Sequence, residues 1–230
     1  IPVGDILHRV NLSGAFRLEL PGYDNTDTPT INGINYEINR EAKTATVTGC
    51  DATMTNVEIP ATITVGETEY TVVAIGDGAF MANKTIASLS IPATVKTVGQ
   101  DACRNMGGLK DLYINDLAAW CAIEFYNGNA NPIYNVFPTR ESAWGNVHFN
   151  DVINPAALEI PEGVTEIGRA FYGYKVLESV TLPSTLTKLG DQTFANCAKL
   201  TEVVVPEGVT SIGSAFWSCT ALKSVTLPST

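Results

Sequence analysis

Short stretches of strict alternation recur along the chain. In Leu177-Glu178-Ser179-Val180-Thr181-Leu182, Val180 and Leu182 fall on one side and Ser179 and Thr181 on the other. That period of two predicts a strand with one buried face. Proline-closed versions read Val57-Glu58-Ile59-Pro60, Leu89-Ser90-Ile91-Pro92, Leu158-Glu159-Ile160-Pro161, Val180-Thr181-Leu182-Pro183, Val203-Val204-Val205-Pro206 and Val225-Thr226-Leu227-Pro228. The last four prolines are 22, 23 and 22 residues apart, and Pro92 to Pro161 is 69 residues, three times 23. One step of 23 from Pro92 reaches Asn115, behind Leu112-Tyr113-Ile114, the same strand without its proline.

Other columns keep the register. Six residues before every closing position but Pro161 lie Met54, Ile86, Leu109, Leu177, Leu200 and Leu222, and six before the last five of these lie Phe80, Cys103, Phe171, Phe194 and Phe216. Ile75, Val98, Ile167, Leu189 and Ile212 each precede a glycine (Gly76, Gly99, Gly168, Gly190, Gly213), expected to serve a tight turn or a positive φ. A unit this short cannot bury its apolar side alone, whereas stacked units form one core and pair their strands in parallel. The pattern predicts a repeat solenoid of about seven coils of 22–23 residues, right-handed by the bias of parallel crossovers.

The strings Ile160-Pro161-Glu162-Gly163-Val164-Thr165-Glu166-Ile167-Gly168-Arg169-Ala170-Phe171 and Val205-Pro206-Glu207-Gly208-Val209-Thr210-Ser211-Ile212-Gly213-Ser214-Ala215-Phe216-Trp217-Ser218-Cys219 resemble the BspA-like leucine-rich repeat. The resemblance covers about residues 51–230. It implies a bacterial surface or secreted protein of the kind associated with adhesion to host proteins or other cells. Asn115-Asp116-Leu117, followed by Trp120-Cys121, resembles insertions found in similar bacterial repeat proteins.

Three regions break the pattern. Pro60 to Pro92 is 32 residues, and the excess fits a hairpin of Ile63-Thr64-Val65 and Tyr70-Thr71-Val72 about Gly66-Glu67-Thr68-Glu69. Residues 116–154 read as an insertion, a modified pair of coils. It comprises a short amphipathic helix from Asp116, its N-cap, to Phe125, a loop from Tyr126 to Asn146, and a hairpin over Val147–Ile153. Residues 31–50 alternate and are expected to form a hairpin capping the solenoid of 51–230. Residues 1–30 match no repeat and read as an unassigned segment or linker. The array stops in mid-coil at Pro228-Ser229-Thr230, which predicts more sequence beyond it or a short C-terminal cover.

The 230 residues are 45% apolar and 17% charged, which excludes a disordered chain. Fourteen basic against 24 acidic residues give a formal net charge of -10, which argues against nucleic acid as a partner and disfavours adhesion to anionic lipid. No apolar run approaches the ~20 residues of a membrane span. The chain starts at Ile1 rather than Met, an expected trimmed start that leaves export open.

Chemistry-bearing groupings are sparse. Cys197 and Cys219 share a column with Met106, Tyr174 and Asn83 and are expected to fill the core, with a bridge between them as the alternative; Cys103 takes an aromatic position. Cys121 and His148 are the only Cys–His candidates, against a packed thiol and a surface imidazole; His8 is the second histidine. Glu124 and Glu141 flank the insertion as a weak glycosidase pair, and Asp24 and Asp27 as a calcium loop lack an EF-hand spacing. No nucleotide, metalloprotease or nucleophile-elbow motif occurs, so no catalysis, metal or cofactor is expected.

The outward strand positions form two ladders: Ser88, Asp111, Ser179, Glu202, Ser224, and Ser90, Tyr113, Thr181, Val204, Thr226. Solvation explains most of them. Asp111, Tyr113, Thr181, Glu202 and Val204 are the candidate ligand-binding residues, Tyr113 and Val204 standing out as apolar among Ser and Thr. Trp120, Tyr126, Tyr134 and Trp144 form a second candidate patch in the insertion. The expected role is that of a monomeric, secreted or cell-surface adhesin-like protein binding a protein or glycan. A spacer holding another domain, and a carbohydrate-active enzyme with its site in the insertion, are the alternatives.

Overall fold

A computed structural model describes residues 28–138 and 144–229. Chain order is β1 (Thr30–Ile31), β2 (Ile34–Asn39), β3 (Thr44–Cys50), β4 (Asn56–Glu58), β5 (Thr62–Val65), β6 (Thr68–Ile75), β7 (Ser88–Ile91), β8 (Thr97–Val98) and β9 (Asp111–Ile114), then α1 (Leu117–Cys121), β10 (Glu124–Phe125), α2 (Ile133–Val136), β11 (Asn146–Phe149) and β12 (Val152–Ile153). The regular repeats follow as β13 (Ala157–Glu159), β14 (Glu166–Ile167), β15 (Ser179–Thr181), β16 (Lys188–Leu189), β17 (Glu202–Val204) and β18 (Ser224–Thr226).

The architecture is that of a leucine-rich repeat. Each regular coil sends one strand to a front sheet, turns at its proline and sends a shorter strand to a back layer. The turn closes when the N–H three residues on donates to the proline carbonyl, as Leu186 does to Pro183 at 3.1 Å and Val209 to Pro206 at 3.1 Å. Front strands pair in parallel. One sheet has the order β12-β11-β9-β7-β4 and a second β13-β15-β17-β18, with β3-β6-β8-β10 and β14-β16 behind them. The hairpin of β2 and β3 joins the back layer through β3 and β6, and β5 pairs antiparallel with β6.

One core runs between the layers, and its columns are filled as the spacing requires. Phe171, Phe194 and Phe216 stack nearly parallel at 5.4 and 5.8 Å. Cys103 is buried in the same column. Cys197 and Cys219 are free thiols, so no bridge joins them. Each donates instead to a carbonyl of the preceding coil, Cys197 to Phe171 at 3.3 Å and Cys219 to Phe194 at 3.1 Å.

The structure refines one expectation and corrects two: the column glycines open turns, as in Ala102 N to Gly99 O at 3.3 Å. Of the five column glycines only Gly213 has a positive φ, 42°. The others are small because coils approach closely: a Cβ on Gly99 would lie 2.7 Å from Asp77 N, and one on Gly190 3.0 Å from Ile167 O. Positive φ falls two residues after the aromatic column instead, at Ala82, Asn105, Gly173, Asn196 and Ser218. Second, the helix from Asp116 is only Leu117–Cys121. Asp116 Oδ1 does cap it, accepting from Ala119 N at 2.8 Å, but Glu124 and Phe125 join the back layer opposite Thr97 and Val98. Third, the front sheet is not continuous. The chain leaves β11 through the hairpin to β12 and re-enters the front as β13 without an intervening back strand, so β12 closes the edge that β13 would otherwise pair with.

Candidate functional site

The outward residues of the five-stranded front sheet line up because its parallel pairs are in register: Ser88 opposite Asp111 opposite Asn146, and Glu58 opposite Ser90 opposite Tyr113 opposite His148. The hairpin then places Ile153 opposite His148, 56% exposed. In-register strands carry these side chains ~5 Å apart, close enough to interact across the sheet.

They do so at one cluster. His148 Nε2 and Asn146 Nδ2 both lie 2.9 Å from Asp111 Oδ1. The imidazole stacks on the Tyr113 ring with centroids 4.3 Å apart and planes 15° from parallel. Partial burial opposes ionisation of Asp111, but the bonds from His148 and Asn146 outweigh it and hold the carboxyl below its ordinary range. Tyr113 is thus an exposed aromatic ring held on one face, while its partner imidazole is pinned by a carboxylate.

Beside the cluster lies a trough of about 290 Å³ lined by Asn56, Val57, Glu58, Ser88, Ser90, Tyr113 and Asn115. Strand order explains it. Tyr113 on β9 faces small Ser90 on β7, then Glu58 on β4, so the ring face turned away from His148 looks over a low polar floor.

The sequence-derived candidates divide between the two sheets. Asp111 and Tyr113 belong to the cluster; Thr181, Glu202 and Val204 lie on β15 and β17, with Val204 65% exposed. Asn146 and His148 were missed as ladder members because the insertion hides their spacing. The signal was present: Asn146-Val147-His148-Phe149-Asn150 repeats the polar-apolar-aromatic-apolar-Asn order of Asp111-Leu112-Tyr113-Ile114-Asn115.

The other groupings do not assemble. Cys121 is buried in α1, its thiol pushed up to about 12 by burial, whereas His148 stands on the outer sheet face with Asp111. His8, Asp24, Asp27 and Glu141 lie outside the described residues, and Glu124 is an exposed residue of β10. Among the described residues no three His, Cys, Asp or Glu side chains are grouped to hold a metal, and no helix is long and apolar enough to cross a membrane. In the insertion Trp120 is buried and donates to Ala170 O at 2.8 Å, Trp144 is partly buried against Phe137, and Tyr126 and Tyr134 are exposed.

A family model of the BspA type leucine rich repeat region matches residues 47–131 and 137–230, in six copies. Among solved structures, a leucine rich cell surface protein from Faecalibacterium prausnitzii is 26% identical with a TM-score of 0.58, the match covering 88% of this chain and 55% of that one. A leucine-rich repeat protein from Bacteroides ovatus is 26% identical with a TM-score of 0.52, covering 90% of this chain and 54% of that one. The chain therefore spans about half the length of each of these relatives. A search of curated proteins found no match.

Proposed function

The chain belongs to the BspA-type leucine-rich repeat family, and from that premise we propose that it is a non-catalytic, adhesin-like binding module of a secreted or cell-surface bacterial protein. Its working surface is the front face around Tyr113. Family membership supports a protein-binding scaffold, and the similarity to a cell surface protein of Faecalibacterium supports the location. The observation that carries the reading is the Asp111–His148–Tyr113 cluster. An exposed aromatic side chain is ordinarily mobile, and ordering it on binding costs affinity; here stacking and a charge-assisted hydrogen bond fix it beforehand.

The test displays the chain against extracellular-matrix proteins, plasma proteins and a polysaccharide array, with Tyr113→Ala and Val204→Ser as separate variants. Saturable binding that falls tenfold or more in Tyr113→Ala and persists in Val204→Ser is expected. Binding lost only in Val204→Ser moves the surface to the four-stranded sheet. No binding across the panel favours the spacer reading.

A further inference from the structure

The trough on the front sheet has a chemical character of its own. One wall is the uncovered face of Tyr113, and the opposite wall is Glu58, two strands away and so roughly 10 Å across at the backbone. The floor is Ser88 and Ser90, and Asn56 and Asn115 add amide groups that both donate and accept. Ser88 donates to Asn56 Oδ1 at 2.9 Å, which leaves the Asn56 amide hydrogens directed to other acceptors. No Lys or Arg lines the trough.

We propose that this trough binds one neutral pyranose unit of a glycan, with the apolar face of the sugar against Tyr113 and its hydroxyls on Ser90, Asn56, Asn115 and Glu58. The proposal rests on the reading of the Tyr113 face as the working surface. The face of an aromatic ring is the negative side of its quadrupole and accepts the weakly positive C–H groups of a sugar ring. Sugar hydroxyls need partners of both polarities, which Ser and Asn provide in a way that an ammonium or guanidinium group would not use. Glu58, in a lining without Lys or Arg, disfavours uronic or sialic acids. A volume of 290 Å³ sits just under the ~300–1,000 Å³ of pockets that enclose a drug-sized ligand, the scale of one unit of a longer chain. The His148 stack adds rigidity, since a wall held on its far side does not need ordering when the sugar arrives.

Saturation-transfer NMR tests this with tetrasaccharides of glucose, mannose, galactose and N-acetylglucosamine. Tetragalacturonate and a lysine-containing peptide serve as anionic and cationic probes. The expected result is transfer to the ring C–H protons of at least one neutral tetrasaccharide. Affinity should weaken about tenfold in Tyr113→Ala and a few-fold in Asn115→Ala, while Tyr113→Phe and Val204→Ser keep it. Tyr113 is exposed, so its truncation leaves the fold intact, and far-ultraviolet circular dichroism verifies this. Absence of transfer to all four neutral sugars overturns the sugar assignment. If the lysine peptide or a deglycosylated panel protein then binds in a Tyr113-dependent way, the working-surface reading still stands. Sugar transfer that survives Tyr113→Ala overturns both.

Discussion

The two front sheets are built from the same repeat and differ in how much of each coil does the same job. In the four-stranded sheet every rung follows the column rule: outward Ser179, Thr181, Glu202, Ser224 and Thr226 above inward Val180 and Val203, with the Phe171–Phe194–Phe216 stack behind. Ala157 and Val204 depart from a polar surface. In the five-stranded sheet the column rule holds for the core but is broken outside it, and there a carboxylate, an imidazole and a phenol meet. Core columns are replaceable by any residue of the right shape; an ordered polar cluster needs particular partners. Repetition builds the frame, and local departure from it builds the ordered cluster.

The insertion shows the same contrast inside the molecule. Regular coils meet through backbone bonds, such as Phe171 N to Thr193 O at 3.1 Å and Phe194 N to Ala215 O at 2.8 Å. In the insertion that ladder continues, as in Cys103 N to Asn129 O at 3.1 Å, and asparagine side chains add to it. Asn135 accepts from Met106 N at 3.1 Å and donates to Cys103 O at 2.6 Å, reaching the preceding coil. Asn131 donates to Arg169 O at 2.6 Å and Ala170 O at 3.0 Å, reaching the following one. An amide that both donates and accepts can stand in for a peptide group, as Asn131 and Asn135 do here.

The largest effect expected from breaking the regular half is that of Phe194→Ala. The ring is fully buried between two others, so its loss should cost about 3–5 kcal/mol, read as a lower denaturation midpoint. Asn131→Ala should cost less, about 1–3 kcal/mol, because it strands the N–H of Ile133 and cuts the tie to the carbonyls of Arg169 and Ala170, which keep Tyr172 N and Trp120 Nε1 as donors. Hydrogen exchange should then speed up in the insertion before the coils around Phe194 change. Thiol labelling sharpens the picture: Cys50 and Cys219, partly buried, should react before Cys103, Cys121 and Cys197, whose thiols burial pushes far up, and all five should titrate in denaturant.

The smallest effect belongs to the cluster itself. His148→Ala should change stability by no more than about 1 kcal/mol, since the pair is partly solvated, but should blur the near-ultraviolet signal of Tyr113. The Asp111 carboxyl is held below its unfolded value, so its contribution is complete above the ordinary carboxylate range of ~4 and is lost as pH falls through the lower folded value. The wild-type and Asp111→Asn stabilities should therefore differ at pH 6 and converge in strong acid, the reverse of what a raised carboxyl would give.

Most of the frame could be read from the chain. Proline, leucine and aromatic columns fixed the strand positions because each residue type answers one steric demand repeated every coil. Of the two roles expected of the glycine column, the turn holds, as in Ala102 N to Gly99 O at 3.3 Å, while positive φ holds only at Gly213, and close approach of the coils is a further demand. Asp111 and Tyr113 were legible as outward residues, but their partners were not: His148 follows Tyr113 by 35 residues instead of 23, so no fixed period connects them. Sheet continuity failed for a related reason, because no residue type marks a front strand that lacks its back strand.

We place the working surface on the five-stranded sheet around Tyr113 and not on the regular one. The most direct measurement is a side-by-side titration of one ligand found in the display screen against wild type, Tyr113→Ala and a Thr181→Ala/Val204→Ser double variant, all with verified folds. The account predicts at least tenfold weaker binding for Tyr113→Ala and wild-type affinity for the double variant. Wild-type affinity in Tyr113→Ala, with loss in the double variant, would contradict it.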